Sequence, residues 1–147
     1  MADTAKFILN YENKYEINIT PDGDETFEAL AAGISNVSWS GNENLMQDVY
    51  YDGEGMGSTE VTGGQLVASV SGHRKVGDPA QDFVMGLQLA YGDARKTTLK
   101  WTKPDGRVLT CSITIANIED AAGDANAKDD ISFEMHVNGK PQIQPAG

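Results

Sequence analysis

One helix-forming segment lies among alternating strands in this chain, which restricts the fold to a mainly β architecture. Asp78 is typical of a helix N-cap, and Pro79 follows at the first helical position, where its missing N–H costs nothing. Gln81 stands at the third position, where its amide can reach back to the cap residue as in a capping box. The apolar residues that follow predict a helix over 79–90 that stops at 91–93. Because apolar residues cover much of its surface, we expect sheet to cover this helix on more than one side.

Alternation of apolar and polar residues predicts strands on both sides of the helix. The first two alternating runs, 7–11 and 15–19, are separated by a short polar turn and predict a hairpin. The next two runs, 26–31 and 34–40, predict a second strand pair around Gly33. The remaining predicted strands are residues 60–74, with a break at the two glycines 63 and 64, then 97–102, 108–118 and 131–137.

Residues 41–59 keep no period, and compact domains rarely contain so long a loop without a reason. Two interpretations stay open for this long loop: a disordered insertion, or a hairpin arm that becomes ordered only against a partner. Its first half is apolar for a solvated loop, which favours the partner interpretation. The apolar residues are Leu45, Met46, Val49, Tyr50 and Tyr51.

The 147 residues show no internal repeat and no domain boundary, so we expect one domain over 1–147. An acidic loop is predicted over 119–130, and an extended tail with two prolines over 140–147. The single cysteine excludes an internal disulfide framework. Cys111 alternates in register with Leu109 and Ile113, which predicts a buried thiol rather than a nucleophile.

Composition excludes several classes of function. The net charge is −11 and the isoelectric point is near 4.4, which argues against a protein that grips nucleic acid, because such a grip needs Lys and Arg on the phosphates. No apolar run approaches the roughly 20 residues of a membrane span, so no membrane partner is expected. The first residues lack the basic start and long apolar stretch of a secretory signal.

The sequence also lacks recognisable catalytic or metal-binding motifs. Asp124 and Asn126 hint at a calcium loop, but Lys128 occupies a liganding position there. The glycines of 53–57 have no strand before them and no helix after them, so they do not form a phosphate loop. We therefore expect no cofactor, no metal and no enzymatic activity, and an interaction or structural role.

The order of elements carries a resemblance. A strand ends in the sequence 37–41, a long acidic loop follows, and a new strand starts at 59–64. The sequence 78–82 then opens the central helix, 97–101 and 105–106 belong to a hairpin, and the closing strand ends at 137–141. This order and size resemble the major tail tube proteins of long-tailed (siphovirus-type) bacteriophages. The same fold is expected in the ring protein of type VI secretion and in contractile-tail tubes.

The resemblance implies a β-sandwich or half-barrel with one central α-helix. Six copies would form a homohexameric ring, and rings would stack into a tube through which DNA passes without specific binding. If each copy adds about four strands, some 24 strands at roughly 4.8 Å spacing give a backbone diameter near 37 Å before tilt. The implied partners are other copies, the tape measure, the tail terminator and the distal tail proteins. The implied location is the virion tail, after synthesis in the bacterial host cytoplasm.

Two groups of residues are candidate assembly sites under this resemblance. The long loop, with the five apolar residues named above, is the candidate for ring stacking, and the N-terminal segment and the tail after Gly139 are second candidates. Polar positions on two long strands are candidates for the lumen wall, where an acidic surface would not hold phosphate. The lumen candidates are Thr110, Ser112, Thr114, Ser132 and Glu134.

Two other functions remain open at this stage. A monomeric β-sandwich module could bind carbohydrate or a cell surface, with Trp39, Trp101, Tyr50 and Tyr51 as a sugar platform. A secretion-system tube protein would use the same ring without DNA.

Overall fold

The structure is a computed structural model of the chain and describes residues 5–145. Within this range the chain forms ten strands, one α-helix and three short 3₁₀ turns. The strands are β1 (Lys14–Asn18), β2 (Phe27–Ala29), β3 (Ile34–Ser40), β4 (Asn44–Val49), β5 (Gly57–Gly63), β6 (Val67–His73), β7 (Lys96–Thr102), β8 (Val108–Ala122), β9 (Asp130–Val137) and β10 (Gln142–Gln144), and the helix is α1 (Pro79–Gly86).

Eight of these strands form one sheet in which every pairing is antiparallel. The order is β2-β1-β7-β8-β9-β6-β3, and β10 pairs with the start of β8, beyond the part that β9 occupies. The sheet is rolled: Trp39 on β3 stacks on Trp101 on β7, with ring centroids 4.5 Å apart, although these two strands are not neighbours in the sheet. Tyr15 on β1 stacks on the same Trp101 ring at 5.9 Å. The expected mainly β half-barrel with one central helix is confirmed, and these three rings form its seam.

The core lies on the inner face of the rolled sheet. Alternate residues of β8 and β9 are buried, and the residues between them face the other way. Cys111 is fully buried in this core, as expected, and burial raises the pKa of its thiol. The other buried residues of these two strands are Leu109, Ile113, Ile115, Ile118, Ile131, Phe133, Met135 and Val137.

The helix is shorter than the sequence predicts. It ends at Gly86, and Leu89 is 85% exposed, so this end is not covered by sheet. The carbonyl groups of Gln88 and Ala90 accept hydrogen bonds from the guanidinium of Arg95 instead of continuing the helix. The predicted cover on more than one side is therefore wrong for the last turn, where the side chain of Arg95 replaces helical hydrogen bonds.

The start of the helix combines an expected and an unexpected feature. The carboxylate of Asp78 accepts a hydrogen bond from the backbone N–H of Gln81 at 3.1 Å, with Pro79 at the first position. The Gln81 side chain does not close a capping box. It is fully buried, and its amide donates to the carbonyl groups of Ala32 and His73. Gln81 thus ties α1 to the place where β3 begins beside β6, because buried amides must satisfy both donors.

Both predicted N-terminal strand pairs are wrong. Residues 5–9 form no strand and Phe7 is 97% exposed, while a 3₁₀ turn over Asn10–Glu12 leads into β1. The strands on either side of Gly33 do not pair with each other. β2 pairs with β1, and β3 pairs with β6. Gly33 has a φ of +76° and separates two strands that lie at opposite ends of the sheet path.

The C-terminal third differs from the prediction in two places. β8 continues to Ala122, through residues predicted as loop, and the positive φ angles of Asn117 and Ala121 mark irregularities in its pairing with β9. Part of the predicted extended tail is β10, which pairs with β8 of the same chain. The predictions for residues 1–4 and for the last two residues of the tail fall outside the described residues.

The predicted long loop over 41–59 is largely a β-hairpin. β4 and β5 pair with each other from Asn44 to Gly63 and form a sheet of their own. Every residue of both strands is exposed. Of the two interpretations of this segment, the hairpin arm has the correct secondary structure, and whether a partner orders it remains a prediction.

Gly72 tests the close approach of β3 to β6. A Cβ on Gly72 would collide with the backbone of Gly33 and Ile34, which cannot give way as a side chain can. We expect Gly72→Ala to lower the free energy of unfolding by about 1–3 kcal/mol, as overpacking does. Gly86→Ala is the matched control, because nothing lies within 4 Å of its added methyl group. Urea unfolding that shows equal stability for the two variants would contradict the close approach.

Tyr15 tests the seam. Burial raises the pKa of its phenol above 10.0, and the hydrogen bond from the Trp39 indole N–H only partly opposes this. The neutral phenol is therefore favoured by folding, and its contribution to stability is present below pH 10 and lost as the pH rises through the raised pKa. We expect wild-type stability to fall more steeply than that of Tyr15→Phe in this alkaline range. Equal dependence of stability on pH for the two proteins, from neutral to alkaline pH, would refute the burial of this phenol in the seam.

Candidate assembly surfaces

The hairpin arm, defined as residues 41–65, stands on a base that is held by backbone contacts. The N–H of Gln65 donates to the carbonyl of Gly41 at 2.9 Å, and the amide of Asn42 donates to the carbonyl of Gln65 at 3.3 Å. Gly64 lies so close to Gly41 that an added Cβ would be 2.9 Å from its carbonyl oxygen. The base is therefore fixed, although the strands above it pair only with each other.

The two faces of the hairpin arm differ in chemistry. Leu45 pairs with Val61, and Val49 lies on the same face four residues after Leu45. All three are more than half exposed. The opposite face carries Met46 beside Glu60, and it continues with a carboxylate at position 48. On the first face Gln47 and Thr59 lie between these apolar residues, and we call it the apolar face. Because its residues are exposed, no other part of residues 5–145 covers it, and a two-stranded hairpin is at best marginally stable alone in water.

The candidate stacking residues are therefore divided between three places. Leu45 and Val49 share the apolar face, whereas Met46 lies on the other face. Tyr50 and Tyr51 are exposed at the tip, where a 3₁₀ turn begins. The sequence pattern named these residues but not Val61, whose role depends on its pairing with Leu45.

The five lumen candidates lie on one surface. Thr110, Ser112 and Thr114 alternate with the buried residues of β8, and Ser132 and Glu134 do so on β9. The register continues this polar surface onto the neighbouring strands, since Ser69 and Ser71 of β6 pair with Glu134 and Ser132. β3 extends it with Asn36 and Ser38. We call this surface, on β8, β9, β6 and β3, the hydroxyl face.

None of the four strands of the hydroxyl face contains Lys or Arg. Of its carboxylates, Glu134 accepts hydrogen bonds from the Asn117 amide and from the His136 ring, both at 2.9 Å. These bonds hold the pKa of Glu134 below its ordinary value, with the Asn117 bond contributing most. The hydroxyl face is therefore neutral to anionic at neutral pH.

The strand on the other side of β8, β7, does contain lysines. β7 places Lys96 and Lys100 on the same side of the sheet, where they lie opposite Thr114 and Thr110. Lys96 pairs with Asp93 at 3.3 Å, and Lys100 lies over a phenyl ring of β2. A wall without ammonium groups could thus be built from β8, β9, β6 and β3 but not from β7.

The four aromatic residues of the alternative sugar platform do not come together. Trp39 and Trp101 stack on each other in the seam, and their indole N–H groups donate to Tyr15 and Asn13. The two tyrosines of the platform lie at the tip of the hairpin arm. A groove of about 420 Å³ runs beside the seam, lined by Tyr11, which is exposed, and by Tyr15, Trp39 and Trp101, which are half-buried and engaged with each other.

Other kinds of site are not evident in residues 5–145. No three His, Cys, Asp or Glu side chains in this range come together as ligands for a metal ion. In the same range, α1 falls short of the length and apolar character that crossing a membrane requires.

Comparisons with known proteins identify the fold. No family model matches the sequence, and no curated protein matches it. One similar structure is a chain in the tail of an empty gene transfer agent (GTA) particle, determined by helical refinement with C6 symmetry. It is 17% identical in sequence and superposes with a TM-score of 0.75, and the match covers 95% of this chain and 100% of the GTA chain. A chain of the native GTA virion is 18% identical, with the same coverage and a TM-score of 0.67. The chain therefore has the fold of a phage-like tail protein.

Proposed function

We propose that this chain is a structural, non-enzymatic subunit of a virion tail tube. Six copies form a ring, rings stack head to tail, and DNA passes through the tube without specific binding. The observation that carries this proposal is the fold, which extends over 95% of the chain and over the whole of the GTA tail protein. The C6 symmetry of that tail supports six copies in a ring.

The sheet has the open edges that ring closure requires. The unit β8-β9-β6-β3 ends on one side at β3, which has no further strand partner within residues 5–145. On the other side β7 pairs with β8 only as far as Thr114. Unpaired edges favour association with another chain, and closure into a barrel removes them.

Strand direction is consistent with this closure. The four strands alternate in direction, so the two outer strands, β3 and β8, run antiparallel to each other. When β3 of one copy meets the β8 edge of the next, that new pair is antiparallel as well. Six units then supply about 24 strands in one continuous antiparallel barrel, the size that leaves room for duplex DNA.

The hydroxyl face is our candidate for the lumen wall of this barrel. Serine and threonine hydroxyl groups hydrate the wall, and Glu134 adds a carboxylate whose pKa is lowered. Without Lys or Arg the wall offers no fixed cation to a phosphate, so the duplex gains no counterion-release energy by binding. The opposite face of the same four strands carries the hydrophobic core of the subunit. The face that would point away from the lumen is therefore buried within each subunit.

The partners and location follow from the same proposal. The tube subunit contacts other copies along its length, and tape measure, tail terminator and distal tail proteins inside or at the ends of the tube. The mature assembly belongs to the virion, and the subunit is made in the host cytoplasm.

Assembly of the purified chain is the direct test. Sedimentation and negative-stain electron microscopy are expected to show rings or tubes whose mass grows with protein concentration. A stable monomer that binds glycans would overturn the proposal in favour of the carbohydrate- or surface-binding module. Tubes of the purified chain, together with the absence of this protein from DNA-containing particles released by the producing cells, would favour a secretion-system tube.

Removal of the hairpin arm tests its role in ring stacking. Deletion of residues 43–63 joins Asn42 to Gly64 and leaves the Gly41–Gln65 hydrogen bond around a two-residue Asn-Gly turn. Asn42 already has a φ of +44°, as such a turn requires. We expect the deletion variant to fold and to form rings but not tubes.

A surface variant tests whether ring stacking needs the apolar face of the arm or only the arm as a whole. Leu45, Val49 and Val61 replaced together by serine should also stop elongation, because the exposed apolar anchors are lost. Met46→Ser, on the opposite face, is the control and should leave tube length unchanged. Tubes of normal length from the deletion variant would show that the arm does not connect rings, and tubes of normal length from the triple variant alone would show that its apolar face is not the contact.

Chemical labelling tests the lumen assignment. Ser112 is exposed on the hydroxyl face, and the native Cys111 is buried, so Ser112→Cys carries the one accessible thiol of the described residues. We expect a small maleimide to label this thiol in both subunits and tubes, and a large polymer-linked maleimide to label it only in unassembled subunits. Equal labelling of tubes by the large reagent would place Ser112 on the outside.

A further inference from the structure

Two stretches of strand edge in the main sheet have the same length and no partner within residues 5–145. β3 has seven residues and pairs only with β6. On β8 the pairing with β7 ends at Thr114, and the guanidinium of Arg95 donates to the next carbonyl, that of Ile115, at 3.3 Å. Residues 116–122 follow as a second stretch of seven residues, and in the described chain they pair only with β9.

The end of β8 is irregular, and its irregularities decide which side chains face the hydroxyl side of the sheet. Its register with β9 shifts twice, so that Ala116, Glu119 and Ala122 pair with the regularly alternating positions 134, 132 and 130. Directly paired residues point to the same side of a sheet, so these three residues belong to the hydroxyl face. Glu119 is a carboxylate of this face that the sequence pattern did not name.

The free edge of β3 presents the same alternation as β9. Asn36, Ser38 and Ser40 are exposed, and the first two pair with Ser71 and Ser69 of the hydroxyl face. They are spaced by two residues, as are the residues of β9 that pair with the end of β8. β3 of another copy can therefore match the shifted pattern of β8 on one side as β9 matches it on the other.

Charge favours this combination of edges. β3 has no charged residue, whereas the free stretch of β8 has carboxylates at positions 119 and 120. Two β8 ends paired with each other would bring these carboxylates together, which destabilises a strand pair. A β3 edge instead offers serine to Glu119, and serine already pairs with glutamate within the chain at Ser132–Glu119 and Ser69–Glu134.

We propose that β3 of one copy pairs antiparallel with residues 116–122 of the next copy in one defined register. Ser40 lies opposite Ala116, Ser38 opposite Glu119 and Asn36 opposite Ala122. This inference rests on the proposed function, whose ring joins the same two edges, and adds the residues that meet. The contact ends where β3 gives way to the hairpin arm at Gly41 and where Arg95 and β7 occupy β8.

This register gives the ring a stagger. Within one copy, the pairings through Ser69 and Glu134 place Ser38 at the level of Ala116. Between copies Ser40 meets Ala116, so each copy is displaced along the strands by two residues, roughly 7 Å. A closed barrel requires such a stagger, whereas Ser38 opposite Ala116 would give none.

Disulfide cross-linking of assembled rings tests the register. Ser40→Cys/Ala116→Cys and Asn36→Cys/Ala122→Cys each place two thiols at partner positions, and the native Cys111 is buried. Within one chain β6 and β9 separate the two thiols by at least roughly 14 Å, too far for a disulfide. We expect mild oxidation of both variants to give a ladder of cross-linked copies up to the hexamer on a non-reducing gel.

The matched control combines the same positions in the wrong way. Ser40→Cys/Ala122→Cys sets the thiols at opposite ends of the contact, roughly 13 Å apart, and should form rings without cross-links. Cross-linking of this variant as strong as that of the partner variants overturns the register. Rings of the two partner variants that stay without cross-links overturn it as well.

A charge variant tests the same contact without cysteine. Ser38→Glu faces Glu119 of the next copy, and we expect the concentration for half-maximal ring formation to rise by roughly twofold to fivefold. Adding Glu119→Gln to that chain removes the opposing charge and should restore assembly. Ser112→Glu adds the same charge to the hydroxyl face away from the contact and should assemble like the wild type.

The outcomes separate this inference from the proposed function. Ser38→Glu rings at the wild-type concentration, or no recovery with Glu119→Gln, overturn the register while wild-type rings still support the proposed function. A wild-type chain that forms neither rings nor tubes overturns both.

Discussion

The pairing of β8 with strands on both sides is the interaction on which the rest of the structure depends. At 15 residues, β8 is long enough to pair with β7 over its first half and with β9 over its second, while β10 occupies the remaining edge. This stagger lets one sheet roll until Trp39 meets Trp101. It also leaves the second half of β8 without a partner from residues 5–145 on the β7 side, and this is one of the two edges that a ring would close.

The rolled sheet separates two kinds of chemistry across one backbone layer. The inner face is a continuous hydrophobic core, and the outer face of β8, β9, β6 and β3 carries hydroxyl groups and no Lys or Arg. The cations of the sheet lie on β1, β7 and the turn to β8, whereas the hairpin arm has only carboxylates. This distribution favours association between identical copies in a fixed orientation, because like surfaces repel and unlike surfaces attract.

The features that could be predicted from the sequence are local. The alternation of β8 and β9 predicts their buried residues, including Cys111, because side chains of a strand point to opposite faces in turn. Asp78 and Pro79 predict the start of α1, because capping acts within one helical turn. The pairings of β2 and β3 could not be predicted in this way. Both strands turn away from each other at Gly33 and pair with strands distant in sequence.

The sequence by itself determined the central strands β7, β8 and β9, where the helix begins and which side of β8 and β9 is polar, since these depend on neighbours two to four residues away. It did not determine the hairpin of β4 and β5 or the strand β10. Only the tertiary structure decided that Gln81 is buried between two carbonyl groups, that Val61 joins Leu45 on the arm, and that Ser69 and Ser71 lie beside the lumen candidates. Each of these depends on strand register between distant segments. Register is set by the packing of the whole core and not by any local pattern.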